Sequence, residues 1–220
     1  MTDAITLKNL GKNFALRILF KNVSASFASG AIHLVIGKNG SGKSTLLRMI
    51  GGLVRPTSGE ILFADEDVLV GYLGHSTFLY PNLTARENLL FWQKAYNQPA
   101  SEKTVLDMLS HVGLAAFADT RAGVFSRGMT QRLSLARVLL LEPGICLFDE
   151  PETGLDKASR EMLYVEMRKA RDRGACVLWV SHLANDTNLA DVVHEVRGKG
   201  LHRLESPKED SAGEEEGKPC

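Results

Sequence analysis

An α/β domain built around a phosphate-binding loop is what this sequence predicts, and three observations carry that prediction. Gly37-Lys38-Asn39-Gly40-Ser41-Gly42-Lys43-Ser44 is a complete G-x-x-x-x-G-K-S loop between the apolar run Ile32 to Ile36 and a helix-like stretch opened by Ser44 and Thr45. Ile145-Cys146-Leu147-Phe148 is a second apolar run, and it ends in the carboxylates Asp149 and Glu150. Between the two lies a long helical block, so the order is strand, phosphate loop, helix, inserted helices and returning parallel strands.

The elements follow in order. Apolar runs at Ile5 to Leu10, Leu16 to Phe20, Val23 to Phe27, Ile32 to Ile36, Glu60 to Phe63 and Val68 to Leu73 predict a β-rich first third. One helix, Ser44 to about Gly51, interrupts it. From Thr84 to about Leu141 the pattern is helical. Thr84-Ala85-Arg86-Glu87 has the spacing of a capping box, and Val105, Leu106, Leu109 and Val112 share one expected face before Gly113 stops that helix. A strand at Ile145 to Phe148, a helix at Ala158 to about Arg173, a strand at Ala175 to Val180 and a hairpin near Gly198 to Gly200 complete the alternation. The predicted domain spans 1–204, with a helical subdomain inserted at about 76–141. From Glu205 onward the composition is polar and charged, which predicts a disordered tail.

Composition narrows the function classes. With 220 residues the chain can bury a substantial core, and 26 Lys plus Arg balance 26 Asp plus Glu. No global basic field therefore argues for nucleic acid. The apolar runs fall far short of the roughly 20 residues that span a bilayer, and Met1-Thr2-Asp3-Ala4 has neither a basic nor an apolar leader pattern. A cytoplasmic protein is expected, unless a partner holds it at a membrane. Cys146 and Cys176 sit inside strand-like runs and Cys220 ends the tail, which reads as two buried thiols and one exposed thiol.

The loop residues point to ATP or GTP. Backbone N–H groups of Gly37 to Thr45 can wrap phosphates, Lys43 can reach the β- and γ-phosphates, and the Ser44 hydroxyl can complete a Mg²⁺ shell. Asp149, at the end of its strand, is a second candidate Mg²⁺ ligand, and Glu150 is a candidate general base for an attacking water. His182, after the run Val177 to Ser181, is a candidate for touching the γ-phosphate. The guanine-reading pattern N-K-x-D is absent, which favours ATP.

With these motifs the sequence resembles the ATP-binding cassette (ABC) family, from about Ile5 to Val196. Gly154-Leu155-Asp156 is similar to the family's D-loop, His182 to its switch histidine, and Phe14 stands where the family stacks an aromatic ring on adenine. The resemblance implies a RecA-like core, an antiparallel β subdomain and a helical signature subdomain. The family's L-S-G-G-Q signature is represented by Phe125-Ser126-Arg127-Gly128-Met129, which keeps Ser126 and Gly128 and introduces Arg127 and Met129. In the family two cassettes sandwich two ATPs, so the resemblance implies a homodimer in which Ser126, Gly128 and Asp156 meet the partner copy's nucleotide. Leu73-Gly74-His75 puts histidine where the family places a glutamine that senses Mg²⁺ and the attacking water. His75 is thus a candidate catalytic residue and a weak metal ligand, because Mg²⁺ prefers hard oxygen donors.

Tyr72-Leu73-Gly74-His75 followed by Leu83-Thr84-Ala85-Arg86-Glu87-Asn88-Leu89 is similar to the short, CcmA-type cassettes of the cytochrome c maturation haem exporter. That resemblance implies docking on integral membrane subunits, with the chain peripheral on the cytoplasmic face of a bacterial inner membrane. No residue reads as a haem ligand, so haem would be handled by the partners. Other readings are a different bacterial exporter ATPase of the ABC-2 type, a soluble ABC-type scaffold ATPase such as one serving iron–sulfur cluster assembly, and a nucleic-acid or translation ATPase. The neutral charge balance and the lack of a long coiled coil disfavour the last.

Overall fold

A computed structural model describes residues 2–74, 76–181 and 188–204. Two sheets organise the chain. An antiparallel sheet of order β2-β1-β4 is made by β1 (Asp3–Phe14), β2 (Arg17–Ala28) and β4 (Ser58–Phe63). The larger sheet has the order β5-β6-β7-β3-β8-β9, from β5 (Val70–Leu73), β6 (Ile145–Asp149), β7 (Cys176–Val180), β3 (Ala31–Ile36), β8 (Val192–Arg197) and β9 (Gly200–Leu204). All its pairings are parallel except the β8–β9 hairpin.

Strands β3, β6 and β7 are buried along nearly their whole lengths, which is why they read as continuous apolar runs rather than alternating ones. One face of the sheet packs with α1 (Lys43–Ile50) and the antiparallel sheet, through Phe20, Phe27, Leu46, Leu47 and Leu178. The other face packs on α5 (Lys157–Asp172), through Ile32, Phe148, Leu163, Met167 and Trp179. A third core, built on Leu89, Val105, Leu109 and Leu133, unites α2 (Ala85–Ala95), α3 (Glu102–His111) and α4 (Arg127–Leu139). The parallel order brings the C-terminal ends of β3, β6 and β7 side by side, the edge at which open α/β sheets place their ligands.

Two expectations change in detail. The runs Leu16 to Phe20 and Val23 to Phe27 form one strand, because the pairing steps from Leu10↔Val23 to Lys12↔Phe20 and the extra residue is absorbed as a bulge. Asn22 takes it up with φ 52. On α3, Val105 and Leu109 are buried but Leu106 is 42% exposed, since it lies one residue off their i, i+4 stripe. The capping box forms as expected: Glu87 N–H donates to Thr84 Oγ1 at 3.1 Å and Thr84 N–H to Glu87 Oε2 at 2.8 Å. Helix α3 ends before Gly113, and Cys146 and Cys176 are buried thiols. His75, His182 and the stretch 205–220 with Cys220 lie outside the described residues.

A buried histidine pair sits beneath the antiparallel sheet. His33 on β3 and His194 on β8 are within 3.2 Å of each other through Nδ1 and Nε2, beside Phe27. His33 Nε2 meets the Ala28 carbonyl, which can only accept, so His33 carries its proton there and accepts from His194. Burial, then His33 and Arg203, hold the His194 pKa down at about 4, against an ordinary 6.5. The unfolded chain therefore binds a proton that the folded chain refuses, and stability is lost as pH falls from about 6.5 to about 4. The loss from His194 is on the order of 3 kcal/mol. Urea unfolding at pH 7 and pH 5 should show a fall in stability that is clearly smaller in His194→Gln; an equal fall in both proteins would contradict this account.

Candidate functional site

The chain leaves β3 at Ile36 and turns through the phosphate loop into α1. Two glycines make that turn possible. Gly37 has φ 147, and a Cβ there would lie 2.7 Å from the Val196 carbonyl oxygen. Gly42 has φ 114, and its missing Cβ would lie 2.9 Å from both Leu19 and Phe20. The loop therefore presents its backbone at the positive end of α1, a ready site for anions.

Lys43 is buried at 5% exposure, and its Nζ donates to the carbonyls of Gly37 at 2.8 Å and Lys38 at 3.4 Å. An ammonium has three N–H donors, so one beyond these two can serve an anionic ligand. Burial pulls the Lys43 pKa below the ordinary lysine value, and the charges of Glu150 and Asp149 oppose that shift. Arg17 adds a second cation beside the loop, donating to the Gly40 carbonyl at 2.8 Å.

Strand β6 ends on Asp149, which is fully buried. Its carboxylate accepts from Ser44 Oγ at 2.7 Å and from the Tyr72 hydroxyl at 2.9 Å. The Tyr72 pKa is pushed up to about 12, first by burial and also by Asp149, so it stays a donor at neutral pH. Arg48 on α1 reaches the same hydroxyl at 3.4 Å. Next in the chain, Glu150 takes φ 55, a left-handed backbone that a non-glycine residue adopts only at a cost of about 1–2 kcal/mol. Its N–H donates to the Val180 carbonyl at 3.0 Å, holding the turn to β7.

Beside them lies an open cavity of about 720 Å³, lined by Phe14, Arg17, Leu19, Asn39, Gly40, Gly42, Lys43, Ser44, Thr45 and Glu150. The size suits a nucleotide. Phe14, at the β1–β2 turn, is half exposed at its rim, with Lys12 Nζ 4.7 Å from the ring centre. Of the sequence-predicted residues, Phe14, Asn39, Gly40, Gly42, Lys43, Ser44, Thr45 and Glu150 meet at this cavity, Asp149 stands behind it through Ser44, and Gly37, Lys38 and Ser41 are not part of its lining.

Ser126 and Gly128 do not line this cavity. Ser126 caps α4, its Oγ accepting from Met129 N–H at 3.3 Å, and Arg127 lies against Gly154 of the same chain. Asp156 caps α5 by accepting from Ser159 N–H at 2.7 Å, and that bond holds its pKa below the ordinary value. A smaller cavity, about 180 Å³, separates signature from core, and Glu150 lines it together with Arg127, Gln131 and Gly74. Glu150 thus borders both spaces. Sequence reasoning missed Arg48 and Arg17, which belong to no short motif, and read Tyr72 only as part of the stretch to His75, because each acts through a contact between elements that the sequence does not place together.

Comparison with known proteins agrees with this geometry. The family model "ABC transporter" matches residues 20–153. The chain is 35% identical to the cytochrome c biogenesis ATP-binding export protein CcmA of Haemophilus influenzae, over 81% of this chain and 88% of that protein. It is 34% identical to the Nod factor export ATP-binding protein I of Bradyrhizobium diazoefficiens, over 83% of this chain but only 63% of that longer relative. Among solved structures, the ATP-binding cassette MJ0796, captured as a dimer bound to ADP and Pi, superposes with a TM-score of 0.83 at 28% identity. The match covers 92% of this chain and 98% of that one.

Charge-assisted hydrogen bonds contribute roughly 1.5–3 kcal/mol each, so Lys43→Ala should weaken ATP binding about 10- to 100-fold. Calorimetric titration would read this directly, with circular dichroism confirming the fold. Affinity within twofold of the parent would remove Lys43 from the site.

Proposed function

The chain belongs to the ABC transporter family, and we propose that it is the ATP-hydrolysing subunit of an exporter, serving haem delivery in cytochrome c maturation. The observation that carries the ATPase reading is the meeting of Lys43, Ser44 and Glu150 at one phosphate-loop cavity, with Asp149 bonded to Ser44 behind it. Adenine stacks on Phe14, where one aromatic–base contact contributes roughly 1–3 kcal/mol. The loop N–H groups and Lys43 hold the phosphates. Ser44 and Asp149 are oxygen donors of the kind Mg²⁺ takes, and the ion would supply charge neutralisation at the phosphates. Glu150 accepts the proton of the attacking water, with His182 and His75 proposed at the γ-phosphate side.

Hydrolysis requires a second copy. Ser126 and Gly128 stand outside their own cavity at the N-terminus of α4, so a homodimer would bring each signature to the other copy's phosphates. The dimeric state of MJ0796 supports this. No helix among the described residues is long and apolar enough to cross a membrane, so a transport role needs membrane subunits. Phe78, Tyr80 and Phe91 are partly exposed and cluster with Trp92, a surface suited to a partner's apolar helix. The haem assignment is supported by the Tyr72 to His75 stretch and by the CcmA relative.

Glu150→Gln should bind ATP without splitting it, and with Mg·ATP it should elute at twice the 24.1 kDa chain mass. A persistent monomer would contradict the sandwich. In the source bacterium, deleting the gene should abolish c-type cytochromes, and tagged chain should co-purify with integral membrane proteins. Normal c-type cytochromes would overturn the haem assignment and leave the ATPase reading standing.

A further inference from the structure

Arg137 on α4 carries a charge that the phosphate-loop site does not use. Its side chain is almost wholly buried, at 3% exposure, and among the described residues no carboxylate acts on its charge. A buried guanidinium is costly unless acceptors or an anion meet its five N–H donors. Among the described residues Arg137 meets one acceptor: Nη2 donates to the Tyr72 carbonyl at 2.6 Å, and Nε has no partner. Its Cζ lies over the rings of Trp92 and Phe78, 5.2 and 5.5 Å from their centres, which favours the cation without using its in-plane donors. Burial pulls its pKa down to about 10, so the group stays protonated at neutral pH.

Arg137 faces a cavity of about 120 Å³ whose other walls include Leu53, Val70, Tyr72, Phe78, Trp92 and Tyr96. Leu53 and Phe78 are exposed, so the cavity opens to solvent. Its rim continues into a surface patch, where Trp92 meets Phe91 at 5.5 Å between ring centres and Phe91 meets Tyr80 at 4.6 Å. A slot of this size has room for one side chain. Its walls suit an apolar stem, and the planar fork at its end matches the two oxygens of a carboxylate. We propose that this slot receives a glutamate or aspartate side chain from a helix of the membrane subunit, whose apolar face covers the patch of Phe78, Tyr80, Phe91 and Trp92. The inference rests on the transporter reading and adds a charge requirement to it: the docking helix carries an acid, and Arg137 is its counterpart.

Retention of integral membrane proteins on the tagged full chain, purified in detergent from the source bacterium and identified by mass spectrometry, tests it. Arg137→Met keeps a long side chain and removes the unpaired charge, so the isolated chain should melt close to the parent temperature. Retention of the membrane subunit should nevertheless fall roughly 10- to 100-fold, the size of a lost charge-assisted contact. Where Arg137→Met does not fold, Arg137→Lys serves: it keeps the charge, loses the fork, and should lower retention severalfold. Exchanging the cytoplasmic Asp and Glu residues of the membrane subunit one at a time for Asn or Gln should find one position that reproduces the loss. Combined with the Arg137 variant, that exchange should lose no more than either change alone. Parent-level retention in either Arg137 variant, or no acid whose exchange reproduces the loss, would overturn the inference and leave the transporter reading standing. Loss of the Mg·ATP dimer of Glu150→Gln on adding Arg137→Met would give the slot to a second copy of this chain, and would also overturn it. A parent chain that retains no membrane protein would overturn the transporter reading, and this inference with it.

Discussion

The hydrogen bond from Ser44 to Asp149 is the constraint on which the rest of the site depends. The two residues are 105 positions apart, one in the first turn of α1 and the other at the end of β6, and they meet at 2.7 Å around a fully buried carboxylate. Such a group is tolerated only with donors on its oxygens, and Tyr72 of β5 supplies the other one. Three elements are thereby pinned to one carboxylate. The strand order β5-β6-β7-β3 is what makes the meeting possible, because it sets β6 within reach of both β5 and the loop that follows β3.

From that fixed point the chemistry divides between rigid and strained backbone. Lys43 and Ser44 stand on a helix and Asp149 on a central strand, so their positions follow from packing. Glu150 instead sits on a left-handed turn held to β7 and bordering two cavities. Backbone strain at that one residue thus sits where the phosphate-loop cavity and the cavity beside α4 meet. The signature helix has its own core and reaches the catalytic edge through the contacts of Gln131 with Pro151 and Arg127 with Gly154. These contacts tie the helical block to the segment that follows Glu150.

Much of this was legible in the sequence because local chemistry demands particular residues in consecutive positions. The glycines of the phosphate loop, the apolar run ending at Asp149, the Thr84 capping box and Gly113 are of that kind. The contacts of Tyr72, Arg48 and the pair His33–His194 were not legible, since each forms only when helices and strands separate in sequence become neighbours. Glu152 reads as an ordinary turn residue until β7 brings Trp179 and Ser181 to it. The bulge at Asn22 was hidden for a different reason. Two apolar runs separated by Lys21 and Asn22 look like two strands, and only pairing with β1 reveals one. Leu106 illustrates how a residue adjacent to a buried stripe can be exposed, because a helix turns about 100° per residue.

A double-mutant cycle on Ser44 and Asp149 tests the central claim most directly. Mg·ATP affinity would be titrated calorimetrically for the parent, Ser44→Ala, Asp149→Asn and the double variant. If the two side chains form one unit, the double variant should be little worse than the poorer single variant, with a coupling of roughly 1–3 kcal/mol. Additive losses would mean that Ser44 and Asp149 act separately, and would contradict the account of a site organised around their contact.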